Sequence, residues 1–270
     1  MAMIEVDHLV KQYRRAKEPA VKGISFDVQP GEFFAFLGPN GAGKTTTISI
    51  LTTTLSLTSG SVRIAGYDLV SQSTRVRENI GIIFQEPSLD KDLTAEENIR
   101  LHTCMYGIYG YRPSYRLMPR EYRERVEQLT EIVGIREALF KPIGKLSGGM
   151  RRKLEIVRSL MHNPHVLFLD EPTQGLDAVA RRNLWNYINQ VRHDLGMTVF
   201  LTTHYIDEAE GVDTVCLINK GRIAACCAPT QMKQSLGVAT LEDAYIEYLR
   251  RDADGLDLNA LVAGDLAVAA

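Results

Sequence analysis

The sequence predicts an α/β fold: a parallel core sheet with an antiparallel β layer and a helical subdomain inserted into the chain. Three observations lead there. Short runs at 33–37, 80–84, 166–169 and 198–203 have the character of strands buried on both faces of a parallel sheet. Segments 3–8 and 21–28 instead alternate, with Ile24, Phe26 and Val28 on one face, as a half-exposed antiparallel layer does. From 93 to about 160 the pattern changes to that of helices.

Composition narrows the function classes. With 270 residues, the chain is long enough for one large domain or two moderate ones. Lys plus Arg number 31 against 33 Asp plus Glu, so no net positive field marks nucleic acid as a partner, and none is expected. No apolar run approaches the roughly 18 residues of a membrane helix, and the start lacks a signal-peptide pattern, so a cytoplasmic location is expected. Cys104, Cys216, Cys226 and Cys227 form no C-x-x-C pair and have no histidine at metal-like spacing, which leads us to expect neither disulfide nor zinc.

In chain order, the first strands are followed by the turn Gln29-Pro30-Gly31-Glu32 and the run 33–37. Then comes Gly38-Pro39-Asn40-Gly41-Ala42-Gly43-Lys44-Thr45-Thr46, a full match to G-x-x-x-x-G-K-[ST], with 46–55 expected to be helical. Strand, glycine loop and helix in that order aim backbone N–H groups and the positive end of a helix at a polyphosphate. Lys44 is placed to reach the β- and γ-phosphates and the Thr45 hydroxyl to ligate Mg²⁺, so a nucleoside triphosphate site on a phosphate-loop ATPase core is expected. Tyr13, in the segment between the first strands, is either a packing residue or a ring for an adenine to stack on.

The segment 61–64, between Gly60 and Gly66, extends the antiparallel layer, and the run 80–84 ends at Gln85, followed by Glu86-Pro87. Gln85 suits the mouth of an α/β site, where ligands gather beyond the carboxyl ends of strands. Thr94-Ala95-Glu96-Glu97 opens a helix with a capping box, and another is expected over 121–133, stopping at Gly134. Helical period fails over 106–118, which holds Tyr106, Tyr109, Tyr111, Tyr115, Arg112 and Arg116, and this stretch should be a loop. Leu146-Ser147-Gly148-Gly149-Met150 precedes a helix over 151–161 and reads either as a plain cap or as an anion-binding helix end.

The run 166–169 delivers Asp170 and Glu171. Asp170 is read as a holder of the Mg²⁺ shell and Glu171 as the group that orients or deprotonates the attacking water. Gly175-Leu176-Asp177 turns into a helix whose Leu184, Ile188, Val191 and Leu195 form a core stripe. The run 198–203 ends at His204, an imidazole placed to bond a phosphate oxygen, whereas the other histidines are read as structural. A hairpin over 215–225 and helices at 230–235 and 241–251 follow, with a poorly ordered tail expected over 252–270.

With these motifs in order over about 3–250, the chain resembles an ABC transporter ATP-binding subunit. The resemblance implies one ATPase domain over 1–251, with its core at about 1–92 and 161–225, the helical subdomain at 93–160 and a C-terminal extension at 226–251. It implies ATP and Mg²⁺ as cofactors, and a head-to-tail homodimer in which Ser147, Gly148 and Gly149 of one copy contact the nucleotide held by the other, with Asp177 at the same site. By position, Tyr13 resembles the adenine-stacking aromatic, Gln85 the glutamine that couples the Mg²⁺ site to the transport partner, and His204 the γ-phosphate switch. Met150 stands where the family usually has Gln, a loss of about 0.5–1.5 kcal/mol for one hydrogen bond. Two stretches, 85–98 and Leu241-Glu242-Asp243-Ala244-Tyr245, are similar to bacterial drug and antibiotic exporters. They imply a separate transmembrane permease subunit and a place on the inner face of the cell membrane. Alternative cargoes are polysaccharide or lipid, and a soluble ATPase not coupled to transport is a further alternative.

Overall fold

The computed structural model describes residues 1–85, 88–174 and 176–253. It divides into two compact units, the first made of Met1–Arg77, Phe168–Glu171 and the chain from Thr198 onward, the second of Glu78–Leu167 and Pro172–Met197. The elements begin with β1 (Ile4–Lys11), β2 (Val21–Val28), β3 (Phe33–Leu37), α1 (Lys44–Leu51), β4 (Ser59–Ile64), β5 (Tyr67–Asp68), α2 (Ser73–Asn79) and β6 (Ile80–Ile83). They continue with α3 (Ala95–Met105), α4 (Arg120–Ile132), α5 (Gly148–Leu160), β7 (Val166–Asp170), α6 (Ala178–Leu195) and β8 (Thr198–Thr203). The last are α7 (Ile206–Ala209), β9 (Thr214–Asn219), β10 (Arg222–Cys227), α8 (Pro229–Leu236) and α9 (Leu241–Ala253).

In the first unit, β1 pairs antiparallel with β2 and β4, giving the order β2-β1-β4-β5. Strand β3 sits inside a second sheet, parallel to β8 on one side and β9 on the other, with β10 antiparallel on β9 and β7 beyond β8. All five residues of β3 and all six of β8 are buried, the property that their unbroken runs encode. The alternation of β2 becomes contact between the two sheets: Phe26 stacks on Phe34 at 5.3 Å, and Phe34 on Phe200 at 5.2 Å. Burying each such ring contributes about 1.5–3 kcal/mol, which makes this aromatic cluster the anchor of the first unit.

In the second unit, α3 opens as its sequence requires. Thr94 Oγ1 accepts from the Glu97 N–H at 3.2 Å, while Glu97 Oε2 accepts from the Thr94 N–H at 2.8 Å. Those bonds hold the Glu97 carboxyl below its ordinary pKa. Residues 106–118 are irregular except for a short 3₁₀ turn at Tyr115–Leu117. The loop packs on its own unit. Tyr109 meets Tyr122 edge-on at 5.4 Å, Tyr115 meets Phe140 at 5.4 Å, and Arg100 Nη1 donates to the Arg112 carbonyl at 2.7 Å.

Several boundaries differ from expectation for physical reasons. Helix α1 starts at Lys44 and stops at Leu51, because Thr52 Oγ1 donates back to the Ile48 carbonyl at 2.8 Å and Thr54 Oγ1 to Ser49 at 2.8 Å, competing with further turns. Strand β6 ends at Ile83, leaving Phe84 42% exposed rather than buried. Leu195, assigned to the core stripe of α6, lies in its last turn and is exposed. Helix α9 takes in Asp252 and Ala253, assigned to the tail, while 254–270 and the sequence-flagged Glu86, Pro87 and Gly175 lie outside the described residues.

Candidate nucleotide site

The phosphate loop leaves the buried end of β3 and is shaped by crowding at two glycines. A Cβ on Gly38 would collide with the Ile218 carbonyl oxygen, and Gly43 adopts φ +111° with the Ala20 carbonyl only 2.9 Å from where its Cβ would lie. Pro39, Asn40, Gly41 and Ala42 complete the loop, with the Ala42 N–H donating to the Pro39 carbonyl at 3.2 Å. The first N–H groups of α1 have no acceptor within the helix and form its electropositive end.

Lys44 is buried at 4% exposure. Its Nζ donates to the Gly38 carbonyl at 2.8 Å and the Pro39 carbonyl at 3.2 Å, and lies 3.6 Å from Glu171 Oε1. Burial pushes its pKa down, and the Glu171 carboxylate opposes that shift. The loop thus folds its own carbonyls around a cation, and a polyphosphate would replace those weak acceptors with charged ones. Thr45 is exposed at the start of α1, and Thr46 Oγ1 lies 3.2 Å from Tyr13 Oη, which brings the aromatic candidate to the rim of the loop.

Strand β7 delivers the acids. Asp170 Oδ1 accepts from Thr202 Oγ1 at 2.5 Å. Glu171 is 8% exposed and takes φ +43°, a left-handed conformation costing about 1–3 kcal/mol for a residue with a side chain. It is held there by its N–H, which donates to the Thr202 carbonyl at 3.0 Å. The turn presents one carboxylate oxygen to Lys44 and brings the other to 3.1 Å from His204 Nδ1, close but not aligned as a hydrogen bond. A carboxylate fixed beside a buried lysine and an imidazole is an arrangement that could hold a water against a terminal phosphate.

The remaining candidates belong to the second unit. Ser147 caps α5, its Oγ accepting from the Met150 N–H at 3.2 Å, and Asp177 caps α6, its Oδ1 accepting from the Ala180 N–H at 2.8 Å. A cleft of about 490 Å³ is lined by Ser147, Gly149, Met150, Asp177 and Asn183 among others. Gly148 opens α5 in the same place, and the exposed Gln85 donates through its side-chain amide to Gln174.

Two supporting residues escaped the sequence reading. Thr202, read only as part of a strand, orients both acids. Arg152 is 5% exposed and donates through Nη1 to the Phe84 carbonyl at 2.6 Å and Glu155 Oε2 at 2.9 Å, and through Nε to the Pro172 carbonyl at 2.9 Å. The signal for Arg152 was its place two residues after Met150 on a helix face that also carries Glu155 at i+3. Arg152→Ala leaves Glu155, 2% exposed, as a buried charge, and we expect a loss of about 3–5 kcal/mol in urea unfolding, with Arg152→Lys losing less.

A phosphate loop leading from β3 into α1, with acids at the tip of β7, one strand removed from β3 in the same sheet, defines a phosphate-loop ATPase domain. Residues 21–174 match the sequence profile of the ABC transporter family, and the chain belongs to that family. It is 35% identical over 92% of its length to a probable multidrug ABC transporter ATP-binding protein, YbhF, of Escherichia coli, and spans 42% of that relative. It is 38% identical over 87% of its length to the daunorubicin/doxorubicin resistance ATP-binding protein DrrA of Streptomyces peucetius, covering 68% of it. Among solved structures, an ATP-binding subunit of an ABC transporter superposes with a TM-score of 0.78, at 29% identity, over 92% of this chain and 99% of that one.

Proposed function

We propose that this chain binds and hydrolyses ATP to power a membrane exporter of drugs, antibiotics or similar amphipathic compounds. The observation that carries the ATPase part is Glu171, held by its left-handed turn between Lys44 and His204. Thr45 and Asp170 supply hard oxygen donors in the same unit, the kind that Mg²⁺ takes, and the ion when bound would neutralise charge on the phosphates. Tyr13 would cover the adenine from the rim. A second copy completing the site through Ser147 and Gly149, in an ATP-bound homodimer, is what the family resemblance implies. The drug-type cargo rests on what YbhF and DrrA are named for.

No helix among the described residues is long and apolar enough to cross a membrane. On this reading, the family resemblance supplies a separate permease and a peripheral place on the inner face of the membrane. A groove of about 380 Å³ on the second unit suits a cytoplasmic segment of that permease. Its walls include Phe84, Leu101, Met105 and Tyr106, with Met105 85% exposed. Exposed apolar side chains in that density mark an interaction site. Burial, with Arg158 next to it, pushes the His102 imidazole in this groove down to about 3, so it stays neutral and costs a helical partner little desolvation.

The test is recovery of a membrane protein with the tagged chain from detergent-solubilised native membranes. Leu101→Glu with Met105→Glu should lower recovery by about thirtyfold, the equivalent of a hot-spot loss near 2 kcal/mol. Tyr109→Ser with Tyr115→Ser should instead lower the melting temperature, because those rings pack inward. Undiminished recovery with both glutamates in place would contradict docking at this groove.

A further inference from the structure

A second cleft, of about 650 Å³, opens on the second unit beside the start of α3, the 112–117 turn and α4. None of its lining residues belongs to the phosphate loop, the 146–150 motif or the apolar groove. Tyr115 and Phe140, which meet edge-on at 5.4 Å, form its apolar wall, and Phe140 is 62% exposed.

The charges around this wall are unevenly satisfied. Three guanidinium groups, Arg100, Arg116 and Arg123, face two carboxylates, Glu96 and Glu97. Both carboxylates are committed: Glu96 Oε1 accepts from Arg100 Nε at 3.0 Å and Tyr122 Oη at 3.1 Å, and Glu97 closes the capping box. Arg100 is spent on Glu96 and on the Arg112 carbonyl. Among the described residues, the side chains of Arg116 and Arg123 have no acceptor, and Arg123 Nε is buried without one. Arg116 and Arg123 thus line the cleft as guanidinium groups whose side chains have no acceptor among the described residues, and a charged acceptor entering the cleft can take charge-assisted bonds from them.

We propose that this cleft binds an amphipathic organic monoanion, a carboxylate carried on an aromatic or aliphatic body. The carboxylate pairs with Arg116 and Arg123 through charge-assisted bonds, and the body lies against Tyr115 and Phe140. One unopposed positive charge in the lining matches a monoanion better than a phosphate dianion, and the volume falls in the range of about 300–1,000 Å³ that accommodates small organic ligands.

The test uses the full chain and two probes, 4-phenylbutyrate and its neutral isostere 4-phenylbutanamide, followed by isothermal titration and by ligand-observed NMR. The acid should bind saturably at millimolar concentration and at least about tenfold more tightly than the amide. Arg116→Gln, on an exposed turn, should cut acid affinity about fivefold or more with melting temperature and ATP affinity unchanged, and Phe140→Ser should weaken acid and amide alike. Arg123→Gln should repeat the selective loss where it folds, and the wild-type comparison of acid and amide stands where it does not. Equal binding of acid and amide, no saturable binding of the acid, or an Arg116→Gln variant that binds the acid as wild type does would each overturn the proposal.

Discussion

Glu171→Gln is expected to slow ATP turnover by about 10²–10⁴-fold, the contribution of a positioned general base, while ATP still binds. The substitution keeps the shape of the side chain and the backbone bond to Thr202, so the left-handed turn survives. It removes the negative charge 3.6 Å from Lys44, and with it an interaction that opposes the downward shift of that ammonium. Affinity for ATP should therefore stay level or rise, since one anion near the phosphates has gone. Phosphate release and equilibrium binding of a fluorescent ATP analogue, measured on the same preparation, separate the two effects. Turnover within tenfold of wild type would remove Glu171 from the role assigned to it.

Lys44→Ala should damage both binding and turnover. The wild-type ammonium is buried and directed at the loop carbonyls, so bonds from it to phosphate would be made without first stripping water from it. A hydrogen bond to a charged group contributes about 1.5–3 kcal/mol, which corresponds to a loss of roughly 10–150-fold in ATP affinity. The loop loses the two bonds from Lys44 to the Gly38 and Pro39 carbonyls but keeps the Ala42 to Pro39 bond and its glycine positions, so the chain should still fold. A cooperative unfolding transition with ATP affinity lost is the expected pair of readings. A folded Lys44→Ala protein that binds ATP as wild type does would place the phosphates elsewhere.

The parts of the fold that were legible in the sequence were those set by local chemistry. Buried runs 33–37 and 198–203 became the parallel strands β3 and β8, the Thr94 to Glu97 spacing became a capping box, and Ser147 and Asp177 became helix caps. The residues brought together in the first unit, Lys44, Asp170, Glu171 and His204, were each named from strand-tip or loop positions, because a buried parallel strand has only its end to offer a ligand.

What stayed hidden depends on long-range contact. Thr202 looks like any β-branched strand residue until β7 is placed beside β8, and only then do its hydroxyl and carbonyl meet Asp170 and Glu171. Arg152 reads as one of several basic residues on a helix, while its acceptors, Phe84 and Pro172, lie 68 and 20 positions away in sequence. Helix α2, seven residues with Val76 as its buried residue, carries too little apolar period to be seen. The loop 106–118 showed its irregularity but not its inward packing, because whether a tyrosine is core or surface is decided by Tyr122 and Phe140 across the unit.

Central to this protein's action is an ATP-hydrolysing site formed by the phosphate loop and Glu171. The most direct test is phosphate release from ATP by the purified chain at rising protein concentration, with Mg²⁺ and with a chelator in its place. Turnover that requires Mg²⁺, rises more steeply than protein concentration as paired copies form, and disappears in Glu171→Gln is the predicted result. Tight ATP binding with no Mg²⁺-dependent phosphate release at any concentration, with or without the co-purified membrane protein, would contradict it.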